Sequence, residues 1–187
     1  MQRFITLAFS ALLLLSLNAA TPETHYTVII SLDGFRWDYP DMYKTPNLDR
    51  MAADGVKAVM LPSYPASTFP NHYTLATGLV PDHHGIINNT FWDVKNRRQY
   101  SMGDSATRNN PEYYLGEPIW ITAQKQGVKT GNMYWVGSDI AIKKSHPTYY
   151  RPWNAKPFLT FEQRIDTVLT WLQKPEPERP RLIMLYF

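Results

Sequence analysis

The sequence predicts an α/β domain built on a mostly parallel sheet flanked by helices. Short apolar runs rich in β-branched residues alternate with amphipathic stretches of helical spacing. Most of these segments stop at a glycine: Gly34, Gly55, Gly78, Gly127 or Gly137. Hydrophobic residues make up 44% of the 187 positions, enough for one packed core.

In chain order, Thr27-Val28-Ile29-Ile30-Ser31-Leu32 reads as a buried strand that ends at the turn Asp33-Gly34. Thr45 is a candidate N-cap with Pro46 at the first helical position, opening a helix to Ala53 that Gly55 closes. Residues 56–61 form a second strand candidate, and Ser67-Thr68-Phe69-Pro70 leads into a helix over 72–77. Residues 119–126 read as a helix and 128–135 as a strand. Phe161, Ile165, Val168, Leu169 and Leu172 space a helix over 161–173. A proline-charged connector at 175–180 returns the chain to a last apolar strand, 181–187. Ligand-binding groups in such sheets sit just beyond the carboxyl ends of the strands. A chain ending on its last strand is therefore expected to lack what that strand would deliver, and to leave a sheet edge unprotected.

Arg3, the apolar run over 4–17 and the small residues Asn18-Ala19-Ala20 have the layout of a secretory signal peptide over 1–20. The domain then covers 24–187. The run is too short to cross a hydrocarbon core of about 30 Å as a helix, so no stable membrane span is expected. Export, periplasmic or secreted, is. The formal charge of +3 gives no argument for nucleic acid as a partner, and without cysteine no disulfide can form.

Asp33 follows the first strand, where a carboxylate projects into a crevice, although Asp-Gly also makes an ordinary turn. Thr68 lies just ahead of a helix, where free N–H groups and the helix dipole favour a phosphate. The plainer alternative is that Ser67 or Thr68 is simply an N-cap. His84 reads as a turn residue and His72 as a packing residue behind the site. His146 reads as loop surface, Asp93 and Asp139 as turn residues with Asp139 also able to shape the pocket, and Arg97-Arg98 as a solvated loop.

The ordered set Asp33-Gly34-Phe35-Arg36, Thr45-Pro46-Asn47-Leu48, Pro65-Ala66-Ser67-Thr68-Phe69-Pro70-Asn71-His72, His84-Gly85-Ile86-Ile87-Asn88-Asn89, Gly116-Glu117-Pro118-Ile119-Trp120 and Trp135-Val136-Gly137-Ser138-Asp139 resembles the nucleotide pyrophosphatase/phosphodiesterase family. The resemblance spans residues 26–187 and implies an alkaline phosphatase-like core. It implies two zinc ions, with Asp33 and Thr68 as ligands of one of them. Thr68 would be the nucleophile that forms a phospho-threonine intermediate. Asn89 would hold a phosphate oxygen, with neighbouring Asn88 an open alternative. Phe69 would stack on a base, with Tyr150 across the slot and Tyr149 and Trp153 as further candidates. The implied partner is a small phosphodiester such as a nucleotide. Phospholipid substrates and the oligomeric state stay open.

Two departures stand out. Val136 replaces a proline usual in the family. The acidic segment and later histidines that complete the family's metal sites have no counterpart here. A zinc site commonly takes three or four protein ligands. The 187-residue chain alone is therefore expected to bind zinc poorly and turn over little, as an interrupted reading frame or a gene fragment would. The alternatives are an exported nucleotide-binding module without catalysis, or a phosphomonoesterase or phosphonate hydrolase of the same superfamily.

Overall fold

The computed structural model describes residues 24–187; the leader expected over 1–20 lies outside them. Four strands form one parallel sheet: β1 (Thr27–Ser31), β4 (Thr130–Met133), β5 (Tyr149–Arg151) and β6 (Leu182–Tyr186), in the order β1-β6-β4-β5. Strands β2 (Thr90–Asp93) and β3 (Arg98–Ser101) form a separate antiparallel hairpin that the sequence reading missed. The helices are α1 (Tyr39–Met42), α2 (Pro46–Asp54), α3 (Thr68–Thr77), α4 (Pro81–His84), α5 (Ser105–Arg108), α6 (Ile119–Lys125) and α7 (Phe161–Leu172). Among the described residues, no helix is long and apolar enough to cross a membrane. The α/β architecture with a mostly parallel sheet is as expected.

The last strand in sequence is central in space. β6 pairs with β1 in the register Ser31↔Tyr186 and with β4 in the register Met133↔Leu185. Its side chains alternate between two cores, as a strand covered on both faces requires. Met184 joins Phe69, Tyr73, Trp120 and Trp135 on one face, while Ile183 and Leu185 join Met133, Tyr134 and Trp171 on the other.

Strand β1 departs from its expected burial. It is the sheet's edge strand, and Ile30 is 56% exposed because no strand lies beyond it among the described residues. The strand expected over 56–61 is absent for a related reason. That segment has no ladder partner and its apolar side chains face solvent, Leu61 at 88% exposure. A β-branched run becomes a strand only when a neighbour takes up its N–H and C=O groups.

Helix α3 begins at Thr68 itself, earlier than the expected 72, and Gly78 ends it in a left-handed conformation (φ 69°) that favours glycine. Helix α7 carries a full capping box between Thr160 and Gln163. Its buried face is Arg164, Val168 and Trp171, whereas the expected core residues Ile165 and Leu169 are exposed. The face is rotated because the Arg164 guanidinium lies 4.6 Å from the Tyr134 ring centroid and donates to the Tyr186 carbonyl at 2.9 Å. An arginine stacked in this way packs as an apolar plate with a polar rim.

Trp171 closes onto β4 at Gly131, where an added Cβ would lie 2.8 Å from the indole. Gly131→Val should therefore overpack this contact and lower stability by about 1–3 kcal/mol. Urea unfolding followed by tryptophan fluorescence checks this, and an unchanged midpoint would contradict it.

Candidate active site

Asp33 and Thr68 meet where β1 ends and α3 begins. The Asp33 N–H donates to the Phe187 carbonyl at 2.9 Å, which fixes the chain as it leaves the sheet. Asp33 Oδ2 then accepts from the Thr68 hydroxyl at 3.0 Å and from the Tyr186 hydroxyl at 2.7 Å. Tyr186 was read from the sequence only as a strand residue. Burial first, then the bond to Asp33, raises its pKa, so it remains a hydrogen donor to the carboxylate. Its position was recoverable once β1 and β6 were paired in parallel, because Tyr186 then lies opposite Ser31.

The start of α3 offers fewer free amides than the sequence suggested. Ser67 occupies the N-cap position but its side chain makes no capping bond. The Phe69 N–H donates to Asn89 Oδ1 at 2.9 Å, and Pro70 has none to give. Asn71 N–H bonds the Ser67 carbonyl at 3.2 Å. Among the described residues, the Thr68 N–H is the amide of this first turn left for a ligand. With Oδ1 engaged, Asn89 turns its NH₂ group outward as a donor. Asn88 instead accepts from the Asn89 N–H at 2.8 Å, so Asn89 is the one of the pair that reaches the turn of Thr68.

The loop that delivers Asn89 is held by His84, which is fully buried. Its Nε2 lies 3.2 Å from the Pro70 carbonyl and 3.0 Å from Thr74 Oγ1, and its Nδ1 accepts from the Ile86 N–H at 3.2 Å. These partners require a neutral ring protonated on Nε2. Burial lowers its pKa to about 4. This is the turn role expected of His84.

His72 is 5% exposed, with Nδ1 2.7 Å from the Thr68 carbonyl and Nε2 2.8 Å from Ser31 Oγ. Burial lowers its pKa, opposed by the Thr68 carbonyl and the charge of Asp33. Phe69 is 1% exposed and meets Trp153 edge to face at 5.0 Å. Tyr150 stacks instead on His146 at 5.0 Å, so His146 is not the loose surface residue expected. In this arrangement the aromatic facing Phe69 is Trp153. Asp139 is also more than a turn residue: burial raises its pKa, and it accepts from the Trp153 N–H at 3.3 Å.

A cleft of about 360 Å³ opens over the site, lined by Asp33, Phe35, Leu61, Ser63, Thr68 and His72. It combines a threonine oxygen, a carboxylate and the free Thr68 N–H, groups that can hold and attack a phosphate. Asp33 Oδ2 and Thr68 Oγ1 are close enough to share one cation. Among the described residues, however, no group of three or more His, Asp or Glu stands together. Among the described residues, Asp33 and Thr68 would supply two of the three or four protein ligands that a zinc ion commonly takes.

Because folding favours neutral His84, its contribution to stability is full above the unfolded pKa near 6.5 and is lost as pH falls toward 4. The loss should reach about 2–3 kcal/mol. Urea unfolding at pH 7.5 and 4.5 should show a steeper decline for the parent than for His84→Gln, and equal declines would contradict this assignment.

The Type I phosphodiesterase / nucleotide pyrophosphatase family model matches residues 27–187. The chain is 44% identical over 167 residues to human ectonucleotide pyrophosphatase/phosphodiesterase family member 1, covering 88% of this chain and 18% of the relative. It is 42% identical over 162 residues to bovine family member 3, covering 85% of this chain and 18% of the relative. The solved structure of an inactive threonine-to-alanine variant of murine ectonucleotide pyrophosphatase/phosphodiesterase 5, in complex with AMP, superposes with a TM-score of 0.78. That match is 32% identical and covers 87% of this chain and 43% of the other. The chain thus spans about a fifth of the curated relatives' length, and by sequence and fold it belongs to the type I phosphodiesterase/nucleotide pyrophosphatase family.

Proposed function

We propose that this chain carries the nucleophile-bearing part of a zinc-dependent phosphodiesterase that cleaves phosphodiester or pyrophosphate bonds in nucleotide-type substrates. The observation that carries the reading is the Thr68 hydroxyl donating to Asp33 at a helix start, in a chain of this family. The inactive threonine-to-alanine relative, bound to AMP, supports a threonine nucleophile and a nucleotide ligand.

In this reading Thr68 Oγ attacks phosphorus, one ester or anhydride P–O bond breaks with its electron pair on the departing oxygen, and the threonine proton passes through water to that oxygen. The leaving group departs, and the phosphoryl arm stays on Thr68 until water releases it. The Asn89 NH₂ and the Thr68 N–H hold the negative oxygens of the transition state. Two zinc ions would supply the charge that makes a threonine oxygen nucleophilic. Asp33 and Thr68 would ligate one of them once further ligands are present. Phe69 and Tyr150 remain base-contact candidates. A base stacking on Phe69 would have to displace Trp153, so the pre-formed slot that a metal-free binding module needs has no support here. The leader expected over 1–20 makes the product an exported protein, periplasmic or secreted.

The chain alone should show little turnover of the nitrophenyl ester of thymidine monophosphate, with or without added zinc. A chimera in which residues 24–187 replace the aligned segment of the bovine relative should be active. It should hydrolyse that ester faster than nitrophenyl phosphate, and Thr68→Ala should lower its kcat by at least about a thousandfold. A Thr68→Ala chimera that keeps its rate would overturn the proposal.

A further inference from the structure

We infer that His72 is a positioning residue for Thr68, tying the turn that carries the hydroxyl to the strand end that carries Asp33. The inference rests on the reading of Thr68 as the nucleophile. Among the described residues, no main-chain hydrogen bond joins β1 to α3. Beside the packing of Ile29 on the core that holds Phe69 and Tyr73, two side-chain hydrogen bonds link these segments: Thr68 to Asp33 at 3.0 Å, and Ser31 to His72 at 2.8 Å. The first is the reacting contact itself. The second is what remains to hold the elements in register when Thr68 leaves Asp33 to react.

The hydrogen-bond roles at His72 follow from its partners. The Thr68 carbonyl, 2.7 Å from Nδ1, can only accept, so Nδ1 carries the proton. The Nε2 lone pair of the neutral ring then faces Ser31 Oγ, and the serine hydroxyl donates to it. Ser31 is the last residue of β1, two positions before Asp33. The ring is packed edge to face against Trp135 at 5.4 Å and Tyr186 at 5.0 Å. The His72 carbonyl accepts from Trp135 Nε1 at 3.1 Å, which fixes the backbone at the same point. A ring held in this way transmits the position of β1 to the turn at Thr68. A misplacement of about 1 Å at such a site can cost a hundredfold in rate.

Ser31→Ala removes one part-buried oxygen and little packing. His72→Asn keeps a δ-nitrogen donor for the Thr68 carbonyl but cannot reach Ser31. If His72 acts as a tie, each change breaks the same link. Nitrogen-15 NMR of the 187-residue chain should show His72 protonated on Nδ1. In the active chimera, Ser31→Ala and His72→Asn should each lower kcat about tenfold or more with KM within about twofold. The double variant should lose no more than either single one, and Ser31→Thr should restore the rate.

A proton on Nε2 alone, a Ser31→Ala rate within about twofold of the parent, or losses that multiply would each overturn the inference. If His72→Asn fails to fold, Ser31→Ala and Ser31→Thr decide it. Thr68→Ala in the same chimera separates the two levels. Retained activity sinks the nucleophile and the tie together. Full loss beside an undiminished Ser31→Ala rate sinks the tie alone.

Discussion

One hydrogen bond organises this molecule: the Thr68 hydroxyl given to the Asp33 carboxylate across the gap between β1 and α3. Neither residue could reach the other from its own element. Asp33 is aimed by the parallel pairing of β1 with β6, and Tyr186 on β6 steadies the same carboxylate oxygen. Thr68 is aimed by the helix it opens, whose second amide is taken by Asn89 from a distant turn. Three segments of chain thus meet at Asp33 Oδ2, at the carboxyl end of the sheet where parallel α/β folds place their chemistry.

The support beneath this point is aromatic and locked by hydrogen bonds. Tyr73 is fully buried and donates to the Leu115 carbonyl at 3.0 Å, while Trp135 donates to His72. Large rings fill the core below α3, and the polar tips of Tyr73 and Trp135 bond main-chain carbonyls. Such a core resists small shifts because rings such as Tyr73 and Trp135 have both a packing surface and a directional bond. Rigidity here serves the site, since the cleft wall formed by α3 moves only if these rings move.

Much of this was legible in the sequence. Element order and helix-start chemistry made Asp33 and Thr68 candidates beside a plain turn and an N-cap, and the family resemblance singled them out. His84 follows as a turn residue between Pro81 and Gly85. What was not legible depends on partners distant in sequence. The run over 56–61 has strand composition but no neighbour to pair with. Arg164 takes a core position through ring stacking, which hydropathy counts as polar. Tyr186 joins the site only through the register of β6 on β1. Trp153, rather than Tyr150, faces Phe69 because His146 holds Tyr150 in its own stack.

Ser31 at the end of β1 and the exposed Met60 and Leu61 line the same cleft as Asp33 and Thr68, and the chain spans 43% of the solved relative. Thr68, the proposed nucleophile, is held against Asp33 here, and among the described residues no group of three or more His, Asp or Glu stands together. The most direct test is to mix the active chimera with a nucleotide ester, quench in acid within one turnover, and map the adduct by mass spectrometry. The account requires a nucleotidyl group on Thr68. An adduct on another residue, or none under conditions where turnover is limited by release from the enzyme, would contradict it.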